Sequence, residues 1–351
     1  MPRPRKLILP AGDVTWVHAI QRCVRRAYLC GNGREHRRGW VEAQLALVAR
    51  CCAVEVAAYA VMTNHLHVVL RMRPDVAATW DAVTVAERWC ALFGTRLPKG
   101  ADGQVEPAVI QQKASDAGWV AERRTRLADL GWCMRAVAEP IARRANREDD
   151  CTGRFWEGRF RSIPLLDQAA LTACMAYVDL NPVRAKMCDR PERAAFTGVR
   201  ARIRARQRHR TATRITQRVA EGPARSAALA AVGVAAMPRS IETGLWLAPV
   251  AACVVGDLTA GDSSPGLSAE DYLLLVDATG RWLRAGKRGA IPPELAPILA
   301  RLDLEVEDWI GTMCGWRQML GSAVGGATSR AALAAARGLR WVQNRCRLFA
   351  A

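Results

Sequence analysis

Tyr59-Ala-Val-Met-Thr-Asn-His-Leu-His-Val-Val-Leu-Arg-Met72 consists of two apolar runs separated by a short polar break at Thr63-Asn64. Side chains of a strand alternate between faces with a period of two. A strand opening at His65 therefore places His65, His67, Val69 and Arg71 on one face and Leu66, Val68, Leu70 and Met72 on the other. The second set is wholly apolar and reads as core. The first presents two imidazoles one residue pair apart, close enough to share a single metal ion. Two ligands do not make a site, and the same pair fits two half-buried strand histidines with structural partners. A third ligand and a nucleophile have to come from elsewhere in the chain.

Working outward, Val54 to Val61 reads as the preceding strand, turning through Met62-Thr63-Asn64 to make a hairpin. Upstream, Val41, Leu45, Val48 and Cys52 recur at helical spacing within Trp40 to Cys52. Val14 to Gln21 reads as the first strand, with Trp16, His18 and Ile20 on one side. His18 reads as a structural strand residue, although it could line the same site as His65. Downstream, the stretch from Pro74 to about Arg126 is poorly patterned and reads as an insertion. Within it, Trp80, Trp89, Leu92 and Phe93 suggest a helix, and Pro98 to Pro107 a loop. A helix is expected over Leu127 to Asn146, kinked or broken at Pro140. Its end is basic at Arg143, Arg144 and Arg147, which suits the helix macrodipole.

Thr152 to Ile163 alternates aromatics and arginines: Arg154, Phe155, Trp156, Arg159, Phe160 and Arg161. As a strand it would set Arg159 and Arg161 on one face. Aromatic faces beside guanidinium groups hold single-stranded nucleic acid, and an amphipathic edge strand has the same pattern. Asp167 is a good N-cap for the helix that follows, and Pro182 stops that helix at Asn181. Tyr177 and Asn181 stand four apart, one turn from each other on one helical face. Leu166, Ala170, Ala173 and Cys174 extend that stripe, so this side faces protein.

The 351 residues suit one large domain or two to three ordinary ones. Lys plus Arg number 51 against 33 Asp plus Glu, a formal charge of +18. Most of the excess is arginine, whose planar fork matches phosphate, so nucleic acid is the first partner expected. Arg200, Arg202, Arg204, Arg206, Arg208 and Arg210 recur at every second position, a density of like charge that disfavours a packed element without an anion. Residues 196–225 accordingly read as a basic arm or linker. Residues 226–351 read as mainly helical, with segments at Tyr272 to Leu283, Leu295 to Leu304, Ile310 to Leu320 and Ala331 to Arg347. The twelve cysteines are scattered and include no C-x-x-C pair. Reduced thiols in a cytosolic protein are the expectation, not a zinc ribbon or a disulfide framework. The apolar runs at Ala227 to Met237 and Leu245 to Val255 are too short for a membrane span.

Three pieces, M-T-N-H-L-H-V-V-L from Met62, G-R-F-W-E-G-R-F-R-S from Gly153 and Y-V-D-L-N-P-V-R-A from Tyr177, occur in an order that resembles the single-tyrosine HUH transposases. Among these it looks most like the REP-associated branch, bacterial proteins linked to repetitive extragenic palindromes. The resemblance covers about Arg3 to Ala195, so 1–195 would be the catalytic domain, interrupted by the insertion at about 74–126. It implies a ferredoxin-like α+β core, an antiparallel sheet with helices on one face. It implies Tyr177 as nucleophile and His65, His67 and Asn181 as ligands of a divalent ion, Mg2+ or Mn2+. It also implies a single-stranded or hairpin DNA partner contacted by Arg143, Arg144, Arg154, Trp156, Arg159, Arg161 and Arg184, and a cytoplasmic, nucleoid-associated location. Monomer and dimer stay open. The chain departs from the pattern at Thr63, where Pro or Ser is commoner, at Asp179, where His is common, and in the long insertion. Two other readings are a domesticated hairpin-binding protein that no longer cuts and a metal-dependent phosphohydrolase that uses water.

Overall fold

The computed structural model describes residues 14–234, 242, 244–253, 267–285, 306–319 and 323–342. Four strands, β1 (Thr15–Arg22), β2 (Val54–Val61), β3 (His65–Met72) and β4 (Arg161–Leu165), form one antiparallel sheet in the order β2-β3-β1-β4. α1 (His36–Cys51) links β1 to β2, and the tight turn at Met62 to Asn64 links β2 to β3. The connection from β3 to β4 carries α2 (Pro74–Ala78), α3 (Ala82–Phe93), α4 (Pro107–Ala114), α5 (Ala117–Leu127) and α6 (Leu130–Glu148). After β4 come α7 (Gln168–Asp179), the short α8 (Asn181–Arg184), α9 (Gly198–Arg218), α10 (Pro223–Ala231), α11 (Val250–Cys253), α12 (Ala269–Ala285), α13 (Val306–Met319) and α14 (Ala327–Ala336). The expected Leu295 to Leu304 segment and the end of the Ala331 to Arg347 segment lie outside the described residues.

The expectation of helices on one face of the sheet is corrected: both faces are covered. Leu66, Val68 and Leu70 pack with Val41, Leu45 and Val48 of α1 and with Met134, Val137 and Ile141 of α6. On the other face Ile20, Val69 and Ile163 pack against α7, with α12 and α13 beyond it. The histidine-bearing face is itself largely apolar, so it too has to be removed from water. Residues 170–179 of α7 are all buried, as befits a helix sandwiched between a sheet and other helices. Asp167 caps its start by accepting from the Ala170 N–H at 2.9 Å.

α6 runs through Pro140 as one helix instead of breaking there. Proline removes the N–H that would bond the carbonyl one turn earlier. That carbonyl, Ala136 O, instead accepts from Gln44 Nε2 of α1 at 2.9 Å. The segment from Thr152 to Phe160, expected as a strand, is irregular, and strand structure begins only at Arg161. Phe155 and Trp156 are adjacent and both buried, which a half-exposed strand does not allow. Residues 198–218, within the stretch read as a basic arm or linker, form a 21-residue helix, α9. The charge is accommodated because Arg202 is buried against the Glu242 carboxylate (2.8 Å) and the Ala248 carbonyl (2.9 Å), and Arg206 pairs with Glu270.

Both sheet edges are occupied by residues from late in the chain. On β2, Val61 donates to Phe196 O at 3.0 Å, and Val56 O accepts from Ala248 at 2.8 Å. On β4, Val324 donates to Pro164 O at 3.0 Å and accepts from Leu166 at 2.9 Å. Gly325 permits this approach, since a Cβ there would lie 2.7 Å from Leu166 Cβ.

Candidate active site

The β1–β3 register sets His67 opposite Ile20 and Val69 opposite His18, so His18 and His67 are diagonal neighbours on one face. Their rings meet: His18 Nε2 lies 2.9 Å from His67 Nδ1, with ring centroids 5.1 Å apart. His65 stands edge-on to His67 at 4.8 Å, and its Nδ1 lies 2.6 Å from Asn64 Oδ1. An amide oxygen only accepts, so His65 Nδ1 is the donor in this bond. His18 is fully buried, and burial first, then the charge of Arg161, pushes its pKa down to about 3. It is therefore a neutral ring able to accept the Nδ1 proton of His67.

α7 lays Tyr177 over this pair. Its ring centroid is 5.9 Å from that of His67 and 6.3 Å from that of His18, edge-on to both. The tyrosine is buried, stacked on Trp316 of α13 at 5.4 Å. The Arg184 guanidinium sits 5.2 Å from the ring centre and is bonded to the Met313 carbonyl of the same helix. Asn181 is buried too, and its amide nitrogen has no hydrogen-bond partner among the described residues. Two residues before it, Asp179 accepts from the Val199 N–H (2.9 Å) and the Tyr272 hydroxyl (2.6 Å), and burial pushes its carboxyl up to about 6.

The other expected contacts divide into two groups. Arg161 opens β4 on the His18 side, opposite Ile20, and is exposed; Arg154 and Arg159 are exposed on the irregular segment before it. Trp156 is not a free platform for a base: it is buried in the core under α6 and donates its indole N–H to the Ala138 carbonyl at 2.8 Å. Arg143 and Arg144 lie on α6, across the sheet from Tyr177. Arg143 pairs with Glu139, and Arg144 covers Trp40 at 3.8 Å. Two contributors escaped the sequence reading. The bond between His18 and His67 requires the strand register, and Trp316 comes from a helix whose pattern does not say what it covers.

Among the described residues no group of three or more His, Cys, Asp and Glu could hold a metal ion. A ligand set here therefore needs the Asn181 amide. The donor chemistry is compatible with one: His65 and His67 each have Nδ1 beside a neighbour's polar atom, an arrangement that orients a ligating imidazole. Asn181 is buried and carries an amide oxygen, a donor type suited to a divalent ion. The ten cysteines whose side chains are described are free thiols. Among the described residues no helix is long and apolar enough to cross a membrane.

No family model matches the chain, and neither does any curated protein. Among solved structures it is similar to a REP-associated tyrosine transposase bound to a REP hairpin, with 14% identity, 56% of this chain and 82% of that one covered, and a TM-score of 0.33. A score that low does not define the fold.

Proposed function

We propose that this protein cuts and rejoins single-stranded DNA of hairpin-forming elements through a covalent tyrosine intermediate. The observation that carries this reading is the place of His67, whose ring meets both its strand neighbour His65 and Tyr177, a residue 110 positions later on a helix. The antiparallel sheet in the order β2-β3-β1-β4, with helices in both the β1–β2 and β3–β4 connections, supports this reading, for which the resemblance implies a ferredoxin-like core. A divalent ion held by His65, His67 and Asn181 would supply Lewis acidity and alignment to the scissile phosphate.

The chain's own residues do the rest. Tyr177 Oη attacks phosphorus, forming the Oη–P bond as the P–O3′ bond breaks. The products are a 3′-hydroxyl and a 5′-phosphotyrosine, and the tyrosine proton ends on the leaving oxygen or on solvent. Attack by a 3′-hydroxyl reverses the step without an external energy source. The exposed Arg154, Arg159 and Arg161 hold flanking phosphates, and Arg184 stands beside the tyrosine to receive negative charge.

Burial of Tyr177 beneath Trp316 supports a second reading, in which the tyrosine is a core aromatic and the protein binds hairpins without cutting them. Under the first reading α13 must leave the ring before DNA enters. The test is incubation of the protein with single-stranded hairpin DNA and Mn2+, followed by denaturing electrophoresis and peptide mass mapping. A covalent adduct on Tyr177 supports cleavage. Binding without an adduct supports the second reading. A free 5′-phosphate without an adduct marks hydrolysis by water.

A further inference from the structure

α9 carries eight arginines, and among the described residues two of them form ion pairs: Arg202 with Glu242 and Arg206 with Glu270. Among the described residues the other six, Arg200, Arg204, Arg208, Arg210, Arg214 and Arg218, form no ion pair. Three of these recur at every fourth position, Arg200, Arg204 and Arg208, about 6 Å apart along the helix axis. They line one wall of a groove of about 750 Å³. The lining also holds three aromatics, Phe196, Tyr59 and Trp246, the last half-buried and set against Tyr59 at 5.0 Å. The single carboxylate in the lining, Glu42, is bound by the Tyr59 hydroxyl. Three guanidinium groups against one carboxylate leave the lining net cationic.

Phe196 supplies an independent observation. Its φ is +60°, a left-handed conformation that is costly for a bulky residue. It is held there by the bond from the Val61 N–H to its carbonyl, and the Arg38 guanidinium lies 5.2 Å from its ring centre. The fold maintains this strain at the point that puts an aromatic face beside a row of unpaired guanidinium groups.

We infer that this groove is a second nucleic-acid site, holding a single strand by its phosphates on Arg200, Arg204 and Arg208 with bases against Trp246 and Phe196. A basic groove with aromatic walls is the arrangement that binds single strands, whose bases are free to stack on side chains; a duplex keeps its bases stacked on each other. The groove and Tyr177 belong to opposite faces of the sheet, since Tyr59 packs in the core under α1 and α6, and Tyr177 in the other. Occupancy of the groove does not depend on whether Tyr177 cuts.

The test uses the full chain in EDTA, so that no cleavage intervenes, with fluorescent oligo(dT) and oligo(U) followed by anisotropy across a salt series. The triple change Arg200→Gln, Arg204→Gln, Arg208→Gln should lower affinity at least tenfold and reduce the salt slope by about 2, since each phosphate contact on a single strand contributes roughly 0.7. The equal-charge control Arg210→Gln, Arg214→Gln, Arg218→Gln should lose less than threefold, because those side chains do not line the groove. Trp246→Ala should weaken binding and leave the slope unchanged. The corresponding triple Lys variant keeps the charge and should keep the slope, which carries the test if the Gln variant fails to fold. Equal losses from the two Gln triples, binding of neither oligonucleotide by wild type, or displacement by poly-glutamate as readily as by oligo(dT) would each overturn the inference. Adduct formation at Tyr177, measured separately with Mn2+, distinguishes failure of this site from failure of the cleavage reading.

Discussion

Replacing His18 with Leu removes one hydrogen bond from the centre of the sheet and leaves His67 Nδ1 without its 2.9 Å partner. Both rings are buried, so the orphaned imidazole nitrogen should cost about 1–3 kcal/mol of stability in the absence of metal. The larger consequence concerns orientation. With His18 neutral, one proton lies between the two rings, and the bond fixes the orientation of the His67 imidazole. Without His18, the ring is released. Loss of such a supporting partner lowers metal affinity roughly 10–100-fold, or about 1.4–2.8 kcal/mol at 1.4 kcal/mol per tenfold. His18→Gln places an amide oxygen at similar reach and should recover most of both effects. The assay pairs a thermal melt of the metal-free protein with calorimetric titration of Mn2+. If His18→Leu lowers the melting temperature but leaves the Mn2+ dissociation constant within twofold of wild type, the pair is packing alone and the reasoning fails. Wild type that takes up no Mn2+ refutes the ligand set itself.

Tyr177→Phe should abolish the covalent adduct while equilibrium binding to hairpin DNA persists; an adduct of normal yield, or one mapped to another residue, rejects the nucleophile. Trp156→Ala should destabilise the protein by about 3–5 kcal/mol, as for a buried aromatic, with DNA affinity unchanged wherever the variant is folded; a variant of native stability that binds DNA poorly would reverse the assignment of this ring to the core. The triple change Arg154→Ala, Arg159→Ala, Arg161→Ala should weaken hairpin binding and reduce its salt slope by about 2, and an unchanged slope would make that segment purely structural. The hydrogen bond from buried Arg37 holds the Asp149 carboxyl below the usual carboxylate range. A depressed folded pKa contributes stability that is complete above the unfolded value near 3.9 and is lost as pH falls through the folded value. Arg37→Met should therefore narrow the difference in melting temperature between pH 7 and pH 3, and an undiminished difference would place the acid sensitivity elsewhere.

The sheet was legible because its signals are local. Alternation over His65 to Met72 fixes which side chains share a face, and the polar break at Thr63-Asn64 marks the turn. What escaped reading depends on partners distant in sequence. Pro140 reads as a helix breaker until Gln44, 96 residues earlier, is seen bonding the carbonyl it leaves open. The arginines of α9 read as a solvated arm because Glu242 and Glu270, which anchor two of them, lie 40 and 64 residues further on. Phe155 and Trp156 fit an alternating strand by composition, yet the chain turns so that both enter the core. At the candidate site, the neighbourhood of His65 and His67 follows from period two. The place of Tyr177 above them follows from the packing of α7 on that face, and its cover by Trp316 from α13, neither of which is written in local pattern.

The closing of the sheet edges by late residues bears on how the chain is made. β4 is complete at Leu165, but Val324, which seals its outer edge, is synthesised 159 residues later. At ribosomal rates of about 5–20 residues per second, that edge stands open for about 8–30 s in every nascent molecule. During this interval its unpaired backbone is a template for strands of neighbouring chains. Slower elongation would lengthen the exposure, so yield of native protein should depend on translation rate and on chaperone supply more than final stability alone would suggest.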